Sequence, residues 1–133
     1  MVIDASAAVE LVLQGPCADG VGERALRSGA SLHAPHLIDV ELAQALRRLA
    51  LSRRIETARA ELALGDFADL LIERHSHSPL RRRIWSLRSA MTAYDAAYVA
   101  LAEALACPLI TCDGRLARAG GHGARIELLA RER

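Results

Sequence analysis

Met1-Val2-Ile3-Asp4-Ala5-Ser6 opens the chain, three apolar residues running straight into a carboxylate and then, two positions on, a hydroxyl. The stretch reads as the central strand of a parallel sheet, because strands buried on both faces are short, continuous apolar runs. A strand that ends in Asp4 leaves that carboxylate at its C-terminal end, the edge where open α/β sheets place their ligands. Asp4 is therefore the first candidate site residue, and the rest of the chain is read by what it adds around it.

Working outward, Ala7 to Val12 suggest a short helix with Ser6 able to cap it and Gly15-Pro16 ending it. A second helix is expected over Asp19 to Arg27, then Gly29 and a strand from Ser31 to Ala34 stopped by Pro35. Leu42, Leu46 and Leu49 set the helical spacing of a segment from Leu37 to Ser52, with Glu41 in its first turns. The apolar positions Leu62, Leu64, Phe67, Leu70 and Leu71 continue a helix over Thr57 to Glu73, and Arg74 to Pro79 reads as an edge strand or loop. Leu80, Ile84 and Leu87 share one face of a helix over Leu80 to Arg88. Thr92 opens the clearest helix, in which Asp95 and Glu103 are the charged residues between Ala93 and Ala106. Cys107-Pro108 ends it, Leu109 to Thr111 forms a buried strand, Asp113-Gly114 starts a turn and a short helix, and Arg125 to Leu129 supplies a last strand. Strand and helix alternate throughout, which implies right-handed crossovers and a parallel sheet covered on both faces, an α/β fold in three layers.

At 133 residues the chain is expected to form one domain, residues 1–133. Its 52% hydrophobic content, with 3% aromatics, suits Ala- and Leu-rich helices on a sheet and argues against disorder. No apolar run approaches the roughly 20 residues of a membrane span. The apolar start has no basic leader and meets Asp4 at once, so a cytoplasmic protein with no membrane association is expected. Cys17, Cys107 and Cys112 have neither C-x-x-C nor zinc-type spacing and read as reduced, mostly buried thiols. Net charge of +1 exerts no global pull on nucleic acid, so such binding must come from local clusters. All 17 basic residues are arginine.

Each acid has an ordinary explanation. Asp4 and Asp113 cap helices, Asp39 and Glu41 complement a helix dipole, and Thr92-Ala93-Tyr94-Asp95 resembles a capping box with a short acid. Together they are harder to set aside, since two follow parallel strands and two lie in the first turns of helices. That placement gathers four carboxylates at one sheet edge, where some must protonate unless a cation compensates them. Hard oxygen donors favour Mg²⁺ or Mn²⁺, and two such ions can assist both the attacking and the leaving oxygen of a phosphodiester. Ser6 and Thr111 stand beside Asp4 and Asp113 and are candidates to orient them.

In Val2-Ile3-Asp4-Ala5-Ser6, the segment from Asp39 to Arg48, the stretch from Thr92 to Ala102, and Leu109-Ile110-Thr111-Cys112-Asp113, the chain resembles the PIN-domain ribonucleases, specifically the toxins of VapBC toxin–antitoxin systems. The four motifs occur in order across nearly the whole length. The resemblance implies a PIN-like sheet of about five strands in order 3-2-1-4-5 and cleavage of RNA with one or two Mg²⁺ or Mn²⁺ ions. It places Asp4, Glu41, Asp95 and Asp113 as the acidic, metal-holding quartet, with Ser6 and Thr111 in support. It also implies a homodimer and a cognate antitoxin whose arginine-bearing segment enters the acidic pocket, with DNA reached only through that antitoxin. Some relatives carry a further acid after the last aspartate; here Leu116 and Ala117 stand there, which weakens a second metal site.

Arg81, Arg82, Arg83 and Arg88 surround Trp85, an arrangement that suits phosphate contacts with an indole to stack on a base, or equally a solvated face with Trp85 in the core. His33, His36, His75, His77 and His122 have no helical metal spacing and are not expected to be ligands. Two rivals to the nuclease are a non-catalytic RNA-binding module of the same fold and an aspartyl-phosphate phosphotransfer domain. The latter needs a lysine near the phosphate, which this chain lacks.

Overall fold

A computed structural model describes residues 1–26 and 29–129. Its five strands are β1 (Val2–Ile3), β2 (Leu32–Pro35), β3 (Ile72–His75), β4 (Leu109–Thr111) and β5 (Ile126–Leu128), all parallel, in the order β3-β2-β1-β4-β5. Among the described residues seven α-helices cover the sheet: α1 (Ala5–Leu13), α2 (Ala18–Leu26), α3 (Leu37–Leu51), α4 (Thr57–Asp69), α5 (Arg81–Ser86), α6 (Ala93–Leu105) and α7 (Gly114–Arg118). The three-layer α/β/α architecture and the strand order are those expected. β1 is central, with Val2 and Ile3 fully buried and paired with Leu109 and Ile110.

Helix α1 gathers α2, α3 and α4 around it, while α6 lies against β1, β2 and β4 and carries α5. The core runs through both layers, from Ala7, Ala8 and Leu42 to Ile110 and the continuous buried run Ala96–Ala102 of α6. That run explains why α6 is apolar on nearly every side: it packs against sheet and helix together. The helix stops at Ala106, which takes the left-handed conformation at φ 50° and donates its N–H to Ala102 and Glu103.

Of the two residues read as able to cap α1, Asp4 does so rather than Ser6, since the Asp4 side chain accepts from the Ala7 N–H. Three local readings of the sequence change. Helix α4 ends at Asp69 rather than Glu73, because Ile72 to His75 pair with Leu32 to Pro35 and bury Ile72; tertiary pairing overrides a helical apolar spacing that continued past the end. Within α4 the core side is Ala60, Ala63 and Phe67, and Leu62 and Leu64 are exposed. The segment from Leu80 begins as a single 3₁₀ turn, Ser78–Leu80, led by Pro79, so α5 is only six residues long. Arg27, at the expected end of the second helix, lies outside the described residues.

Candidate active site

Asp4 leaves the end of β1 and caps α1, so its carboxylate is held at the C-terminal edge of the sheet by two elements at once. Its Oδ1 accepts from the Ala7 N–H at 2.9 Å and from Ser6 Oγ at 2.7 Å, and its Oδ2 accepts from Thr111 Oγ1 at 2.5 Å. Ser6 Oγ in turn accepts from the Cys112 N–H at 3.0 Å, and Thr111 Oγ1 from the Asp113 N–H at 3.0 Å. Two hydroxyls thus stitch the end of β1 to the end of β4 around Asp4. Asp4 is only 5% exposed, and burial pushes its carboxyl up to about 6, against the pull of the Thr111, Ala7 and Ser6 bonds, with nearby Asp113 adding to the rise.

The other three acids approach from separate elements. Asp113 caps α7, accepting from the Arg115 N–H at 2.8 Å. Asp95 stands in the first turn of α6, whose cap is Thr92; the Thr92 hydroxyl accepts from the Asp95 N–H at 3.2 Å. Burial raises the Asp95 pKa, the Arg115 guanidinium opposes this, and Asp113 adds to it. Glu41 lies in the second turn of α3 and is likewise raised by burial, with Asp95 adding. Its Oε1 is buried and makes no hydrogen bond, as is the hydroxyl of Tyr98. The Tyr98 phenol still acts on the Glu41 carboxylate, opposing the rise, and is itself driven upward by its own burial first and by Glu41 next.

All four carboxylates, with Ser6, line one cleft of about 720 Å³, while Thr111 does not line it and is fully buried, donating to Asp4. Sequence reasoning missed other lining groups. Glu10 adds a fifth carboxylate, although its Oε2 accepts from the Cys17 N–H at 3.0 Å. Tyr94 stands 62% exposed at the wall, and Arg48 and Arg115 supply the positive charge. Arg115 reaches back over the acids, its Nη2 3.5 Å from Asp95 Oδ2 and 3.4 Å from Asp113 Oδ2. Its position two residues after Asp113 was the available signal.

The α5 arginines do not line the cleft. Arg83 is committed to a two-pronged ion pair with Glu103, both contacts at 2.8 Å, and Arg88 lies 4.8 Å over the Trp85 ring. Trp85 is 69% exposed and so is not the core residue that one reading made it; Arg81 and Arg82 are exposed beside it. Asp39 is drawn away from the quartet by a paired contact to Arg74 at 2.7 and 2.8 Å. The three cysteines are free thiols, Cys17 buried and Cys107 and Cys112 half-buried.

A profile of the family described as PIN domain matches residues 1–122. The chain is 46% identical over 130 residues to "Ribonuclease VapC12" of Mycobacterium tuberculosis, covering 98% of this chain and 99% of that protein. It is 45% identical over 120 residues to "VapC ribonuclease Mb0985" of Mycobacterium bovis, covering 90% and 91% respectively. Against "Ribonuclease VapC1" of M. tuberculosis the figures are 44% over 129 residues, with 96% of each chain covered. Among solved structures the fold is similar to PAE2754 from Pyrobaculum aerophilum, with a TM-score of 0.71 at 24% identity over 94% of this chain and 81% of that one. With its five-stranded 3-2-1-4-5 sheet and its match over nearly the whole length, the chain belongs to the PIN-domain family, among the VapC-type members.

Proposed function

We propose that this protein is a divalent-metal-dependent endoribonuclease, the toxin of a type II toxin–antitoxin pair, with Asp4, Glu41, Asp95 and Asp113 as its catalytic acids. The observation that carries this reading is the convergence of those carboxylates, from β1, α3, α6 and the end of β4, on one cleft. The names of the relatives, all ribonucleases, point the same way.

The donor set fits a hard divalent ion. It consists of carboxylate oxygens; one of them, Glu41 Oε1, is buried without a partner, and burial with mutual repulsion raises three of the four acids. Asp4, Glu41, Asp95 and Asp113 would hold one or two such ions, Mg²⁺ or Mn²⁺. When bound, the ion supplies Lewis acidity toward water and toward a phosphate oxygen. The chain's own groups do the rest. Ser6 and Thr111 aim the Asp4 oxygens, Arg48 and Arg115 offer charge to a phosphate at the cleft wall, and exposed Tyr94 presents a ring on which a base can stack. A pocket that already accepts Arg115 between Asp95 and Asp113 is also suited to an antitoxin arginine. A homodimer and residues 1–133 as one functional unit are part of the same proposal.

The test is cleavage of total RNA by the purified chain with Mg²⁺ or Mn²⁺, with EDTA, and after Asp4→Asn or Asp95→Asn. Loss of cleavage under EDTA and in both variants is expected. Undiminished cleavage under EDTA or in both variants refutes the assignment, and RNA binding without metal binding would make the protein the non-catalytic module instead.

A further inference from the structure

Strands β2 and β3 bring together three ligand side chains that the cleft does not use. Their register sets His33 opposite Glu73 and Pro35 opposite His75. Alternate residues of a strand face the same side, so Glu73 and His75 share the face of His33. His33 Nδ1 lies 2.9 Å from His75 Nε2 and 3.5 Å from Glu73 Oε2, and one ligand atom from each residue lies within 4.8 Å of the other two. Among the described residues this is the one such compact group of three histidine, cysteine or acidic ligands. The rings are 5.1 Å apart between centroids and tilted by 39°, so their nitrogen edges converge rather than their faces stacking. His33 is half-buried, and its other nitrogen, Nε2, sits 2.7 Å from Ser31 Oγ, the kind of outer partner that fixes the tautomer and aim of a metal-binding imidazole.

We propose that His33, Glu73 and His75 form a second metal site, for an ion of the zinc class rather than the magnesium class. Two imidazoles and one carboxylate are a borderline-soft donor set, with a fourth position left for water. Nitrogens bound at about 2.0–2.1 Å to a tetrahedral ion stand about 3.3 Å apart. The His33–His75 pair at 2.9 Å therefore has to open by less than half an ångström and both rings have to turn their lone pairs from each other toward the ion, in exchange for a shared N–H···N bond. Positive charge at His33 is opposed first by burial and next by the Met1 ammonium, which donates to the Ser31 carbonyl at 2.9 Å, and the Glu73 carboxylate works against both. β3 is an edge strand of the sheet, so an ion here would clip it to β2 and stabilise the fold by linkage. Spacing along the chain hides the site, since His33 and His75 are neighbours only through strand pairing.

The experiment uses the untagged, metal-stripped full chain with Co²⁺ as a spectroscopic probe and Zn²⁺ as competitor. One Co²⁺ per chain with the intense visible bands of a four-coordinate ion is expected, displaced by Zn²⁺ but not by excess Mg²⁺. A Zn²⁺-dependent rise in Tm should accompany it. Both signals should persist in the Asp4→Asn/Asp95→Asn double variant and weaken by more than about 10-fold in affinity in His75→Ala and, independently, in Glu73→Ala. Absence of the bands, their survival in both His75→Ala and Glu73→Ala, or their loss in the double variant overturns the proposal. Since the site is read out by metal spectra and melting, its failure leaves the ribonuclease reading intact, and the converse also holds.

Discussion

Replacing Asp4 by Asn should leave an inactive protein that is more stable than the parent in the absence of metal. Asp4 is buried, and its carboxyl is pushed from an ordinary 3.8 to about 6. A displacement of that size corresponds to about 3 kcal/mol held against the folded state once the group is ionised in both states. Between about pH 4 and about pH 6 the folded protein keeps a proton on Asp4 that the unfolded chain has released. Stability therefore falls as pH rises through that window, is fully penalised above it, and carries no penalty below it. An Asn side chain removes the charge. Its carbonyl oxygen retains the bonds from the Ala7 N–H and Ser6 Oγ, but its NH₂ group must donate where Thr111 Oγ1 now donates. Thr111 can reverse its hydroxyl and accept, at a cost of about 1 kcal/mol for the altered bond. The net gain is then about 1–2 kcal/mol at pH 7.5, a rise in Tm of roughly 4–8 °C for a chain of this length. The assay is thermal unfolding of parent and variant in EDTA at pH 4 and pH 7.5, repeated with Mn²⁺ at pH 7.5. The gap should close at pH 4, and Mn²⁺ should stabilise the parent more than the variant. If Asp4→Asn is the less stable protein at pH 7.5, or if the same gap persists at pH 4, the charge at Asp4 is not what the fold is holding against itself.

Thr111→Val keeps the shape of a fully buried side chain while removing the hydroxyl that donates to Asp4 and accepts from the Asp113 N–H. NMR titration should find the Asp4 carboxyl above about 6, since the Thr111 bond is the largest influence lowering it, and stability should drop by about 1–3 kcal/mol. Arg115→Ala removes the guanidinium that sits 3.5 and 3.4 Å from Asp95 and Asp113, and EPR titration of the RNA-free protein should show Mn²⁺ binding several-fold more tightly, an effect that shrinks as salt rises. Unchanged Mn²⁺ affinity would mean that Arg115 does not compete for the acids.

What could be read without a structure was what repeats along the chain or sits at its breaks. The strand ending in Asp4, the apolar helix opened by Thr92 and the strand ending before Asp113 are each local patterns, and each stands where it was expected. The strand order, by contrast, entered through the family resemblance, because no periodicity says that β1 pairs with β4 across more than a hundred residues. Where α4 stops was hidden for the same reason. Leu70 and Leu71 extend a helical spacing, yet Ile72 is worth more against Leu32 than in another turn. Charge was the least legible quantity of all. Arg81, Arg82 and Arg83 look alike in sequence, but Glu103, twenty residues on from Arg83, captures that one alone into an ion pair and so takes it out of contention for a phosphate. The arginines that do reach the cleft, Arg48 and Arg115, are single residues in unremarkable contexts, selected by where α3 ends up and where α7 begins. The histidines make the same point in reverse. Judged by spacing they are five scattered residues, and only the four-residue register of β2 on β3 turns two of them, with Glu73, into a ligand set. In this fold the backbone pattern is written locally, while the chemistry at both clusters is assembled by pairings between distant segments. A substitution that shifts β3 by one residue should accordingly turn Glu73 and His75 to the opposite face and dissolve the histidine cluster, while the acids, carried on β1, α3, α6 and β4, stay together.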